Sequence, residues 1–438
     1  MLLERAETDW IASRNIFYNT RSNLISDNIN DLINPEHLDF HSEGLINYLD
    51  YGYSVYGQTP LADIKLLEHD KLIYKDDDGT LRIEKKEDPM EKLLGGKTTP
   101  AEVIDYLSTT VNEWTKEREG AIIVPTSGGF DSRLLDHLIK DKNRIHAYTY
   151  GTSINQEESY ETVYASKLCE ILGIDWTQIQ LSDFHNLIEE WYALFGISTH
   201  AHGMYQMEFY EKILKKEEKG SSLLSGIYGD LWAGSKDFAV ITNINELSEL
   251  GITHGMNADS SQTLFSGDYC LKNQYWIDNK EKLKDKNWRI IEAGRTKIVL
   301  ISYLMRVPEK YGLKSWSPFL NEKVVAMMLN MDWADRARRQ WQIDYFNNNH
   351  ILIGEMNLTC DKVIRLNEFG YKKVPVRPLN SSLFDGLIRK EYIDTINNKL
   401  CKPQERDWET YYNAYLTIYP IERILEIAQQ NGTSVRVL

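Results

Sequence analysis

The segment Val124 to Leu135, VPTSGGFDSRLL, constrains this chain more than any other. A short apolar run, Ala121 to Thr126, leads directly into Ser127-Gly128-Gly129, and a helix is expected over Asp131 to Lys140. Two adjacent glycines permit a sharp strand-to-helix turn, because they lack Cβ and tolerate positive φ. They also let a ligand approach the backbone closely. Ser127 and Ser132 supply hydroxyls, and the start of the helix supplies unpaired N–H groups at the positive end of its dipole. Together these suit a pyrophosphate. The plainer reading of the same residues is a tight turn in which Asp131 caps the helix.

Strands and helices alternate from there. Strands are expected over Arg144 to Tyr150, Trp176 to Leu181 and Ser222 to Ser225, with a helix over Glu157 to Leu172 and two more helical stretches before the last strand. Buried strands joined through helices pair in parallel, and ligands on such sheets sit at the carboxyl ends of the strands. The expected fold class is therefore α/β, a parallel doubly wound sheet with a small N-terminal α+β domain and a helical C-terminal part. Beyond about Asn243 the pattern is mostly helical and ends in the amphipathic stretch Ile421 to Gln429.

The boundary between the two expected domains, 1–98 and 99–438, falls at Gly95-Gly96-Lys97-Thr98. This resembles the end of a Walker phosphate loop, but Glu91 stands where that loop needs a glycine, so it reads as a linker. Thr99, Pro100 and Glu102 then form a capping box, followed by the apolar stripe Val103, Leu107, Val111 and Trp114. Before the boundary, His41 to Tyr56 reads as a short helix and turn. The stretch LIYKDDDGTLRIEKKE reads as a hairpin around Asp78-Gly79, with Asp76 to Asp78 a solvated tip.

Charge and cysteine usage narrow the function. Over 438 residues, 50 Lys+Arg against 65 Asp+Glu give a net charge of −15, which argues against a dedicated nucleic-acid binder. No apolar run reaches membrane-spanning length, and the charges in MLLERAETDW stand where an export signal needs its apolar region. The four cysteines are far apart with no Cys-x-x-Cys unit, so neither a disulfide framework nor a zinc site is expected, and a cytoplasmic location is.

Three segments carry a family resemblance. Ser127 to Ser132, SGGFDS, resembles the SGGxDS signature of the PP-loop ATP pyrophosphatases. SGIYGDLWAGS (Ser225 to Ser235) and YGLKSWSPFLN (Tyr311 to Asn321) resemble the SGxGxDExFxGY and hGLExRxPFLD segments of the asparagine synthetase type. Gly44 to Ile73 is similar to the end of that family's N-terminal glutaminase domain, of Ntn type. The resemblance implies a PP-loop (adenine nucleotide alpha hydrolase-like) sheet binding ATP and Mg²⁺. It places Ser127, Gly128, Gly129, Asp131 and Ser132 on the phosphates, with Tyr150, Gly151 and Gly226 around the nucleotide. It places Asp131 and Asp230 on the metal. The implied reaction adenylates a small-molecule carboxylate and passes the acyl group to ammonia or an amine, with no nucleic acid or membrane partner.

Departures from the motifs qualify this. Leu2 stands where the glutaminase nucleophile would be a cysteine, and the first cysteine is Cys169, so a truncated, inactive glutaminase-like domain is expected. Ammonia would then come free, from a separate glutaminase partner, or as a substrate amine. In the synthetase segments, Glu is replaced by Lys314, Arg by Trp316, Asp by Asn321, a further Glu by Leu231 and a glycine by Tyr228. Lys314 is expected to meet a substrate anion or else to face solvent. The family's pyrophosphate lysine aligns with Glu368, leaving Lys372 and Lys373 as the catalytic cations, with Arg338 and Arg339 behind them. His200 and His202 are two imidazoles without a third ligand motif, placed to line an acceptor pocket if they act at all. Asn155, Glu157 and Glu158 are expected around the first turn of the helix that begins there. Two other readings remain: a non-catalytic nucleotide-binding relative, and an enzyme activating a carbonyl oxygen as in tRNA modification.

Overall fold

The computed structural model describes residues 2–251 and 253–438, and for Glu355 the backbone alone. At its centre five parallel strands run in the order β3-β2-β1-β4-β5. They are β1 (Ile122–Pro125), β2 (Ile145–Thr149), β3 (Asp175–Gln178), β4 (Ser222–Leu224) and β5 (Lys314–Trp316). Ile122, Ile123 and Val124 are all buried, as a strand covered on both faces requires. The chain moves outward one way from β1 to β3 and then returns to place β4 on the other side of β1. The carboxyl ends of β1 and β4 therefore flank the point where the topology reverses, which opens a crevice for a ligand.

Helices connect these strands. Helix α1 (Pro100–Lys116) precedes β1, α2 (Phe130–Leu138) joins β1 to β2, and α3 (Tyr160–Leu172) joins β2 to β3. Then α4 (Ile188–Phe195) and α5 (Tyr205–Ile213) lead to β4. Helices α6 (Gly229–Trp232), α7 (Lys286–Ile301) and α8 (Tyr303–Lys310) lie among the elements between β4 and β5. The capping box at α1 forms: the Thr99 hydroxyl accepts from the Glu102 amide, and the Glu102 carboxylate accepts from the Thr99 N–H at 2.8 Å.

Two expected boundaries move. Helix α3 begins at Tyr160, so Glu157 and Glu158 lie in the turn ahead of it and not in its first turn. Strand β3 ends at Gln178, and three residues on the Gln156 side chain occupies both backbone groups of Leu181, at 2.9 and 2.6 Å. One glutamine thus ties the loop after β2 to the segment that follows β3.

The first hundred residues carry antiparallel sheets and the helix Ser42–Tyr51. The hairpin pairs Lys71–Lys75 with Leu81–Lys85, Ile73 opposite Ile83, and its exposed tip is tied by Asp76 accepting from the Thr80 amide. The main hydrophobic core draws on both sides of residue 98, from Trp10 and Phe40 to Ile123 and Leu223. A buried arginine fastens the two parts: Arg295 on α7 meets Asp88 at 2.9 Å and Glu292 at 3.0 Å, and donates to the Trp10 carbonyl.

Candidate functional site

A cavity of about 660 Å³ opens at the carboxyl ends of β1, β2 and β4. Its floor is the turn after β1. Gly128 takes φ +67°, and a Cβ there would stand 2.6 Å from the Cβ of Tyr164, so the turn needs glycine twice over. Ser132 Oγ accepts from the Ser127 amide at 3.2 Å, and buried Arg133 donates to the Gly128 carbonyl at 2.6 Å. These bonds fix the loop from below, and the first amides of α2 have no intrahelical partners.

The loop after β4 closes over the same floor. Tyr228 adopts φ +65°, a conformation that normally favours glycine, which explains why the resembled motif carries one there. Its hydroxyl donates to the Gly294 carbonyl at 2.8 Å, which anchors the strained residue on α7. Gly229 then lets the loop touch Asp131: a Cβ there would lie 2.6 Å from Asp131 Cγ. Asp131 and Asp230 are thereby brought to one place.

Between them stands Arg339. Its Nη1 is 3.7 Å from Asp131 and its Nη2 is 3.8 Å from Asp230, and the guanidinium lies over the Phe130 ring. Arg338 and Arg339 both take left-handed φ, 56° and 62°, while the Arg338 amide donates to Gly234 at 3.0 Å. A strained turn clamped to the β4 loop thus aims Arg339 at the carboxylate pair. Burial pushes the Asp131 carboxyl up to about 7, Arg339 pulls it down and Asp230 pushes it up again. Asp131 Oδ1 is sequestered without a hydrogen bond. A sequestered carboxylate oxygen whose paired cation, Arg339, stands off at 3.7 Å, beside a second carboxylate, is a donor set that fits a divalent cation carried on phosphate oxygens.

The β2 side is aromatic. Tyr148 and Tyr150 line the cavity with Phe209 and Tyr210, and Gln206 donates to the Tyr150 hydroxyl at 2.9 Å. Behind this wall a relay of side chains ties the strands together. Trp176 donates to Thr149 Oγ1 at 3.1 Å, Thr149 donates to the Thr126 carbonyl, and Thr126 donates to Asp136 at 2.9 Å.

Of the residues singled out from the sequence, Ser127, Gly129, Asp131, Ser132, Tyr150, Gly226 and Asp230 line the cavity. Gly128 and Gly151 are not in its lining, and a Cβ on Gly151 would strike the Gln156 carbonyl. Lys314, Lys372 and Lys373 are not brought there. Lys314 opens β5 at the amino end of the sheet, exposed, whereas the cavity is at the carboxyl end. Lys372 pairs with Glu368 at 2.6 Å and Lys373 lies over the Phe369 ring. His200 and His202 are also outside the cavity lining; His200 Nδ1 accepts from the His202 amide at 3.1 Å. Among the described residues, only His69, Asp70 and Asp88 come together as three candidate ligands, and Arg295 already pairs with the two aspartates.

The altered motif positions divide by place. Trp316 stacks on Trp114 at 4.8 Å and 13°, which is packing between β5 and α1. Asn321 caps the helix Glu322–Leu329, accepting from Lys323 and Val324 amides. Tyr228 and Leu231 alone among them line the cavity. The cations that do line it, besides Arg339, are Lys236 and Lys297, with His254 nearby on the same wall. No motif marked these three. Burial and Lys236 lower the Lys297 ammonium to about 8, with Asp230 opposing.

No family model matches the chain, and no curated protein matches it. Among solved structures, the NH3-dependent NAD synthetase from Campylobacter jejuni subsp. jejuni NCTC 11168, in complex with the nitrate ion, is similar over 57% of this chain and 96% of its own. The identity is 14% and the TM-score 0.24. A likeness of that grade places no residue and assigns no chemistry here.

Proposed function

We propose that the chain is an ATP-dependent carbon–nitrogen ligase of the asparagine synthetase-like, PP-loop type, acting without its own glutaminase. The observation that carries this reading is the meeting of Asp131 and Asp230 at Arg339 above the glycine turn. ATP is the co-substrate. Its phosphates would lie against Ser127, Gly129 and Ser132, and the nucleoside against Tyr148 to Tyr150. Asp131 and Asp230 would hold Mg²⁺, which when bound neutralises phosphate charge.

A substrate carboxylate oxygen attacks the α-phosphorus, and the bond from that phosphorus to the bridging oxygen breaks, so pyrophosphate leaves with the bonding pair. Ammonia or an amine then attacks the acyl carbon; the C–O bond to AMP breaks and the nitrogen loses a proton as the amide forms. The residues of the chain position these groups and balance their charge. Arg339, beside the carboxylate pair, is the cation placed to stabilise the departing pyrophosphate, in the role first expected of Lys372 and Lys373.

Pyrophosphate exchange into ATP, measured over a panel of carboxylates, tests the reading. Exchange with at least one acid is expected, and Asp131→Asn should abolish it. Tight ATP binding with no exchange for any acid would favour a nucleotide-binding relative that does no chemistry.

A further inference from the structure

The wall opposite the tyrosines differs from the phosphate side. Ala293, Lys297 and Ile301 are spaced four residues apart on α7 and present one stripe to the cavity, continued by Leu304 on α8. Leu231 joins this wall: Gly294 lets α6 pack onto α7, a Cβ there standing 3.2 Å from Leu231 Cδ2 and 2.6 Å from Trp232. The half-buried Lys297 ammonium thus sits beside this apolar stripe, with Asp230 and Lys236 as its charged neighbours. Leu231 occupies the position where the resembled motif has a glutamate, next to Asp230.

Three carboxylates line the cavity, and each is engaged. Asp131 and Asp230 face Arg339, and Glu161 accepts from Thr152 at 3.0 Å and from Ser159. None is left among the described lining residues to receive the ammonium of an amino acid, and burying one unpaired is strongly disfavoured.

We infer that the α7 wall is the acyl subsite, and that it takes a monocarboxylic acid with an apolar body and no α-ammonium group, its carboxylate drawn to Lys297. This rests on the ligase reading for its chemistry but not for its binding. The apolar stripe contributes through desolvation of the acid's hydrocarbon, and Lys297 supplies the charge that orients the carboxylate toward the phosphate floor.

Binding and exchange should be measured separately, with 4-phenylbutyrate and octanoate against L-aspartate, each in the presence of ATP and Mg²⁺. Calorimetry is expected to show the apolar acids binding and L-aspartate not binding. Lys297→Met should weaken the apolar acids by about tenfold or more, with ATP affinity retained. Leu231→Glu should weaken them comparably, and Leu304→Glu, at a partly exposed position, serves if the first variant does not fold. Exchange supported by the apolar acids would uphold both readings. Apolar acids that bind through Lys297 without exchange would uphold the subsite and overturn the ligase. L-aspartate bound as tightly as the apolar acids, or apolar acids that do not bind, would overturn the subsite whatever the exchange shows.

Discussion

Single residues at this site carry strain and charge that their neighbours alone hold in place. Arg339 reaches the carboxylate pair from a left-handed backbone, and replacing it with Met should lower pyrophosphate exchange by about 100-fold while leaving the fold intact, measured as kcat with ATP saturating. Gly128 has both positive φ and no room for a Cβ, so Gly128→Ala should cost about 1–3 kcal/mol in urea unfolding and weaken ATP binding as well. Asp136 gives a pH signature. Burial pushes its carboxyl up to about 7, against the pull of Thr126 and Lys142. The folded value lies above the unfolded one, so the native state holds this proton more tightly. That contribution to stability is full at acid pH and is lost as pH rises from the ordinary carboxylate range through about 7. Asp136→Asn should flatten this part of the stability profile, read as urea midpoints across the range, and should still accept the Thr126 hydroxyl.

At the scale of elements, the helix starts and the turns between strands decide where the chemistry is placed. The capping box at α1 satisfies two backbone donors with two side chains, so Thr99→Ala should cost about 1 kcal/mol and lower the thermal midpoint correspondingly. That box, the glycine turn into α2 and the hairpin at Asp78-Gly79 were all legible in the sequence, because each depends on residues within one turn of each other. The start of α3 was not. Its first turn was expected at Glu157, but Gln156 spends its side chain on Leu181, and the Tyr160 amide donates to the distant Asp361 carbonyl. Contacts from outside the element overrode its local preference.

At the scale of the molecule, the first hundred residues and the parallel sheet share one core and one buried charge cluster. Arg295 joins α7, which walls the cavity, to Asp88 and to the Trp10 carbonyl. Removing the guanidinium takes from buried Asp88 and Glu292 their closest cation, so Arg295→Met should destabilise by about 3–5 kcal/mol in urea unfolding. A loss below about 1 kcal/mol would show that the cluster contributes little to holding the two parts together. The same tie makes the position of Lys297, two residues further along α7, depend on the packing of the N-terminal residues.

The sequence alone determined the alternation of strands and helices, the parallel α/β class and the glycine turn from Ser127 to Ser132, since these follow from periodicity, glycine sterics and capping over short distances. Only the tertiary structure decided which charges face the cavity. Lys314 lies at the amino end of its strand, a matter of direction within the sheet that no local pattern encodes. Arg339 and Lys297 reach the site from segments remote in the chain, through packing that leaves no periodic mark, whereas Lys236 directly follows the Ser225 to Ser235 segment. A motif fixes the groups that neighbour one another along the chain, whereas an enclosed site is completed by whichever distant side chains the core brings to its walls.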